Sequence, residues 1–207
     1  NQVAPISEAT NIKKEGIEHL YYMQVYYEMQ RADYLKRLPE LEVLEKESQL
    51  GIAKKYVPLS LLISEFESIK PEIKTNNQLH LNSNNQYEIT DTSIDYFDKY
   101  SIGIASPLIN KFKGTNVSFI LDSDFVFNTT QKNISKIEIN FNNEQGWQRI
   151  IENKSININY NSIGKKTIDF RITLSNGEVF RHSNTITVEE KAIPLNRNEN
   201  ISQRSPS

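Results

Sequence analysis

The chain has 207 residues, 24 basic against 26 acidic, a formal net charge of −2 and no cysteine. Near balance of charge gives no electrostatic footing for a nucleic-acid or anionic-membrane partner, and the missing cysteines exclude disulfides, thiolate metal sites and cysteine nucleophiles together. Hydrophobic residues make up 37%, enough for small cores, yet no run approaches the roughly 20 apolar residues that span a bilayer.

Residues 1 to 11 read as an irregular leader; a start at Asn1-Gln2 rather than at a methionine marks a chain either processed or trimmed from a longer one, and the absence of a signal peptide is what a mature exported protein would show. From about Ile12 to Leu38 the pattern is helical: Tyr22, Val25, Tyr26, Met29 and Ala32 fall on one apolar stripe. Tyr21 and Tyr27 flank that stripe, where their hydroxyls could stay wet, and they are candidate contact residues. Pro39 suits the first turn of a second helix, with Leu41, Leu44 and Ser48 on one side and Gly51 as its expected C-cap. Pro58 then divides Tyr56-Val57 from Leu59-Ser60-Leu61-Leu62-Ile63. That run is a short buried helix or a strand, a choice that periodicity alone does not make, and it ends by Pro71. Asn76-Asn77 and Asn82-Ser83-Asn84-Asn85 mark loops, with short strands at His80-Leu81 and Tyr87-Glu88-Ile89. Ser101 to Ile109 is a further apolar run broken by Pro107, and Gly114 precedes a change of pattern, so the domain boundary is drawn near residues 110–116.

Beyond it the chain alternates. Ile137, Ile139 and Phe141 interleave with Glu138 and Asn140; Ile156, Ile158 and Tyr160 with Asn157 and Asn159; Ile168, Phe170, Ile172 and Leu174 with Asp169, Arg171 and Thr173. A period of two means one buried face and one wet face. Asn142 to Gly146, Asn161 to Gly164 and Ser175-Asn176-Gly177-Glu178 supply the turns, Asn-Gly being a strong hairpin signal. The expected fold is therefore α+β: a mainly helical region with short strands over 1–114, a β-sandwich over 115–190 with Phe141 and Phe170 central to its core and able to fold alone, and a polar tail from 191 to 207. The tail, Pro194 to Ser207, has too few apolar residues to offset its own ordering entropy and is expected to lie against another chain or to link to further sequence.

Chemistry-bearing motifs are sparse. His19, His80 and His182 are scattered; His182, beside Arg181, is expected on the wet face as a solvated side chain. There is no Gly-x-Ser-x-Gly elbow and no His-Glu-x-x-His zinc motif. Asp91, Asp95 and Asp98, and the pair Asp122 and Asp124, read as solvated loops before they read as calcium ligands, which need several converging oxygens. The sequence thus assigns no catalytic, cofactor-binding or metal-ligating residue. Trp147, the sole tryptophan, is either core filler or a stacking platform for a sugar; apolar neighbours Ile150 and Ile151 on both faces favour burial. Tyr21, Tyr27 and Trp147 are the candidate interaction residues.

Ile139-Asn140-Phe141-Asn142-Asn143-Glu144, then Tyr160, Gly164, Ile168, Phe170, Ile172 and Asn176-Gly177, resemble a PKD-type immunoglobulin-like domain. The first segment keeps Phe141 but lacks the family's tryptophan, glycines and aspartates, and Lys166 stands where an aromatic is usual; the resemblance implies an immunoglobulin-like sandwich without calcium binding. Ala32-Asp33-Tyr34, Tyr56-Val57-Pro58-Leu59, Ala105-Ser106-Pro107-Leu108 and Val117-Ser118-Phe119 resemble the N-terminal portion of large Bacteroidota proteins exported by the type IX route. Heavy use of Asn, Ile and Lys fits an AT-rich bacterial genome. The resemblance implies a secreted or cell-surface location and a non-catalytic structural or protein-interaction region. Its partners would be other domains of the same polypeptide, cell-surface proteins or carbohydrate, with no nucleic acid and no membrane insertion. The alternatives are the accessory region of a secreted hydrolase whose catalytic domain lies beyond this chain, which would then supply any activity, and a carbohydrate-binding module.

Overall fold

The computed structural model describes residues 19–191, apart from 34, 76–79, 82, 84–86 and 90. The leader, the helical pattern before His19, the Asn-rich clusters around 76–79 and 82–86 save Ser83, and the tail from Pro194 lie outside the described residues. The rest is mixed α+β. Helices α1 (His19–Ala32) and α2 (Leu41–Lys54) come first, followed by β1 (Val57–Ile69), a one-turn helix α3 (Pro71–Thr75), and the short pair β2 (His80–Leu81) and β3 (Tyr87–Glu88). Then come β4 (Phe97–Pro107), β5 (Lys111–Lys113), β6 (Asn116–Asn128), β7 (Ile134–Asn140), β8 (Trp147–Arg149), β9 (Ser155–Asn159), β10 (Gly164–Leu174) and β11 (Val179–Glu189).

Two sheets dominate, with orders β4-β1-β6-β9 and β5-β11-β10-β7-β8, while β2 and β3 pair by themselves. In the first sheet β1 is antiparallel to β4 and parallel to β6, and β6 is antiparallel to β9. In the second all pairings are antiparallel except that of β5 with β11. The sheets share one apolar core. Leu59, Leu61, Phe119 and Ile158 enter it from the first sheet, and Ile139, Phe170, Ile172 and Ile186 from the second. Phe141 and Phe170 are central, as the alternation requires, with Phe141 and Phe119 in ring contact at 4.6 Å between centroids. Where the sheets meet at their edges, Phe180 of β11 lies so close to Gly103 of β4 that a side chain there would collide with its ring. Nearby, buried Asn184 donates to Ser106 Oγ at 2.8 Å.

A second core covers the opposite face of the first sheet. Tyr22, Val25, Tyr26 and Met29 of α1 and Leu44 of α2 pack against Leu62, Ile104, Leu108, Phe125 and Phe127. The helix stripe is thus placed as its spacing dictates, except that Ala32 is exposed. A buried polar stitch ties three elements: Ser60 Oγ donates to the Phe125 carbonyl at 3.3 Å, so the Tyr22 hydroxyl at 2.6 Å must donate to Ser60, which has one proton to give.

Several local expectations change. The first helix stops at Ala32, short of Leu38, because Asp33 turns its carboxylate onto the Arg37 and Leu38 N–H groups. Pro39 precedes the second helix, whose N-cap is Glu40, and its carbonyl accepts from the Tyr26 hydroxyl at 2.9 Å. Gly51 is not the C-cap: the helix runs on to Lys54 and Lys55 takes the left-handed conformation. Gly51 is needed for space instead, since a Cβ there would sit 2.5 Å from Pro58 Cδ.

The largest change concerns the boundary near 110–116. Residues 57–69 and 97–107 form long strands within the same sheet as β6, so the first sheet crosses that boundary, and among the described residues before it long strands stand beside the helices. Val57 to Ser64 are all buried because the core shared by the sheets takes one face of β1 and the helices take the other. Pro58 is tolerated because it lies at the strand's beginning, beyond the end of the β4 pairing, where its carbonyl accepts from Leu108 N–H at 2.8 Å.

Candidate functional site

The outer face of the second sheet is wet, and its side chains follow from the same alternation that builds the core. Odd-numbered residues of β10 and β11 point outward with Lys136, Glu138 and Asn140 of β7, and Trp147 and Arg149 of β8 join them through their pairing to Asn140 and Glu138. The register sets Arg149, Glu138, Arg171 and Arg181 side by side in one row across four strands. Arg171 Nε donates to Glu138 Oε2 at 2.8 Å, and Lys136 Nζ lies 3.1 Å from the same oxygen. The Arg171 hydrogen bond, with help from Lys136, holds the Glu138 carboxyl below its ordinary range against the opposing effect of burial. The Arg171 guanidinium also lies 4.4 Å from the centroid of the Trp147 ring, a cation–π contact reaching across β7. The neighbouring row is Trp147, Asn140, Asp169 and Ser183, where Ser183 Oγ donates to Asp169 Oδ1 at 2.6 Å.

Trp147 is 40% exposed, so it is not core filler; Ile150 is buried and Ile151 exposed, but Trp147 follows the outward phase of β8. Tyr27 is exposed with Arg31 beside its ring at 5.7 Å, while Tyr21 is half-buried against the helix-side core. The three residues do not form one surface: the tyrosines lie on the helix that covers the first sheet, and Trp147 lies on the second. The arginines of the row were missed in the sequence. A signal was present, because the Asn176-Gly177 turn fixes a hairpin in which Arg171 and Arg181 are direct partners.

His182 is corrected outright. It shares the inward phase of Phe180, Asn184, Ile186 and Val188, with its ring 6.5 Å from that of Phe170. Its Nε2 is buried without a hydrogen-bond partner, and burial pushes its pKa down to about 4. His19 reaches the Pro107 carbonyl through Nδ1 at 3.2 Å. Asp122-Ser123-Asp124 form a bulge: four residues, Asp122 to Phe125, stand opposite the single Ser60 between two paired positions. The Asp124 N–H donates to Asp122 Oδ1, and Asn153 clasps Ser123 with hydrogen bonds of 2.9 and 3.0 Å. Asp91 caps its own turn through Ser93, and Asp95 pairs with Lys70 at 2.7 Å. Among the described residues no three His, Cys, Asp or Glu side chains converge on a possible metal position.

One cleft of about 510 Å³ opens between the end of α1 and the far halves of β1 and β4. Asp33 and Arg37 lie on one wall, Glu65, Phe66, Lys99 and Tyr100 on the other. Asp33 is buried, which by itself would raise its pKa, yet hydrogen bonds from Leu38 N–H and from Arg37 leave it below the ordinary range. Arg37 also donates to the Thr129 carbonyl at 2.7 Å, and Lys99 and Lys132 pair with Glu67 and Glu65. The charges of the cleft are paired with one another, and Asp33 accepts three hydrogen bonds that favour its ionised form.

No protein-family model matches the chain, and no curated protein matches it either.

Proposed function

We propose that the two-sheet unit is an immunoglobulin-like module of the PKD type, and that the chain is a non-catalytic interaction region of an exported bacterial protein, at the cell surface or secreted. The strand order carries this reading. The series β8-β7-β10-β11 opposite β6-β9 corresponds to the C′-C-F-G and B-E strands of an immunoglobulin-like fold. The first strand of that fold ordinarily lies beside B; here β1 takes that place and runs parallel to β6, and β4 extends the sheet outward. Buried Tyr160, Gly164 with its positive φ of 110°, and the Asn176-Gly177 turn between β10 and β11 support the reading. A rigid sandwich with a polar, exposed sheet face is suited to presenting a contact surface. The test is a screen of the purified chain against ester, peptide and glycoside substrates. No turnover is expected, and turnover abolished by His182→Ala would overturn the non-catalytic reading.

A further inference from the structure

The second sheet's outer face carries charge that the composition conceals. Lys111 and Lys113 of β5, Lys136 of β7 and Arg149 of β8 point outward, as do Lys165 and Arg171 of β10 and Arg181 of β11. Against these seven cations stand three outward carboxylates, Glu138, Asp169 and Glu189. The face is therefore net +4 in a chain whose total is −2, which leaves −6 for everything else. Its centre is the arginine row. Arg171 and Arg181 are direct cross-strand partners, a like-charge pairing that weakens a sheet. Arg149 and Arg181, both exposed, make no ion pair among the described residues. Arg171 has a carboxylate opposite it on β7, Glu138, and a second arginine on β11, where another carboxylate would stabilise the sheet.

From this we infer that the outer face of the second sheet binds an anionic polysaccharide whose charge is carried by carboxylates, a polyuronate. The inference rests on the reading of the chain as an interaction region and names the class of its partner. Arginine forks suit carboxylates. The adjacent row separates a glycan from other polyanions. Trp147 offers an exposed aromatic edge, and Asn140, Asp169 and Ser183 offer both donors and acceptors to hydroxyl groups. The Asp169 carboxylate would accept from a sugar hydroxyl, a donor that polyglutamate and a DNA phosphate backbone lack. The outward side chains of both rows are solvent-accessible, Trp147, Arg149 and Arg181 being exposed.

The test is affinity electrophoresis of the whole chain through gels containing polygalacturonate, neutral dextran or poly-L-glutamate. Retardation by polygalacturonate alone is expected. Arg149→Ala with Arg181→Ala should weaken it at least tenfold, and Trp147→Ala several-fold at unchanged charge. Arg181→Glu controls for folding: it places an acid opposite Arg171, so its melting midpoint should hold or rise while binding is lost. Absence of retardation by polygalacturonate would overturn the inference. So would equal retardation by poly-L-glutamate with no effect of Trp147→Ala, which would make the partner an acidic protein segment. Reducing-end analysis of the same polygalacturonate keeps the two readings apart: chain cleavage would overturn the non-catalytic reading and leave binding standing, whereas no binding and no cleavage would overturn the glycan inference alone.

Discussion

A fragment of residues 115–190 should not fold by itself, although its alternation reads as self-sufficient. Removing the chain before residue 115 withdraws β1 and β4 from the first sheet. Val57, Leu59, Leu61 and Ile63 line the shared core, each no more than 1% exposed. Fully burying such a side chain stabilises by about 1.5–3 kcal/mol, so the four together represent roughly 6–12 kcal/mol, an upper bound because unfolded chains already bury some of this surface. A domain's whole net stability is about 5–15 kcal/mol. The same cut leaves β6 with an unpaired edge and uncovers Phe125 and Phe127, which depend on the helices and on Leu62 for burial. Far-UV circular dichroism against temperature would decide the matter. The whole chain should melt cooperatively and the fragment should show no cooperative transition. A cooperative melt of the fragment within about 5 °C of the whole chain, equivalent to no more than ~1–3 kcal/mol, would refute the claim that the core depends on β1.

Phe170→Ala should destabilise the chain by about 3–5 kcal/mol, as truncation of a buried phenylalanine does, and a denaturant midpoint equal to the parent's would show the β10 register to be wrong by one residue. Gly51→Ala should cost about 1–3 kcal/mol despite alanine's better helix propensity, because the added carbon meets Pro58 and the Tyr56 carbonyl; a rise in melting temperature would contradict this. His182 binds a proton more readily unfolded, near 6.5, than folded, where burial holds it at about 4. Its neutral form therefore contributes stability that is fully present above about pH 6.5 and lost as pH falls toward 4, about 3 kcal/mol in all. His182→Phe should flatten that slope relative to the parent, and parallel pH–stability curves would show that the ring is hydrated.

The strands at 137–141, 156–160 and 168–174 were legible because each has one buried and one wet face, and a pleated strand writes that difference into every second residue. The same rule failed for β1 because both of its faces are covered; Val57 to Ser64 then has no period to read, and a two-sided strand looks like a buried helix. In β6 the bulge at Asp122 to Phe125 moves the apolar phase from the sheet core to the helix core, so Val117, Phe119 and Leu121 face one way and Phe125 and Phe127 the other. Gly51 was misread because a glycine near a helix end serves capping and close packing alike, and only the position of Pro58 separates the two. For His182 the period was available: counting back in twos from Val188 and Ile186 reaches it on the inward face, and its polar character argued the other way.

Net charge misled for a related physical reason. Composition sums over the whole surface, whereas a strand sorts its residues onto two faces and a sheet aligns the outward ones in rows. A near-neutral chain can therefore hold a strongly basic face, provided that acids collect elsewhere, and the −6 left outside the second sheet's outer face is that balance. The two sheets of this protein spend their outer faces differently. The first gives its outer face to α1 and α2, and its side chains there are mainly apolar, with Ser60 bonded to Tyr22. The second keeps its outer face open and charged, with Arg171 satisfied by Glu138 and Trp147 but Arg181 left opposite it. Like charges directly opposed weaken a sheet by up to about 1 kcal/mol. A fold that stabilises itself with ion pairs at Lys132, Lys136 and Lys70 has the means to relieve that repulsion by one substitution. On the inference drawn above, an anion from outside the chain would relieve it by completing the row.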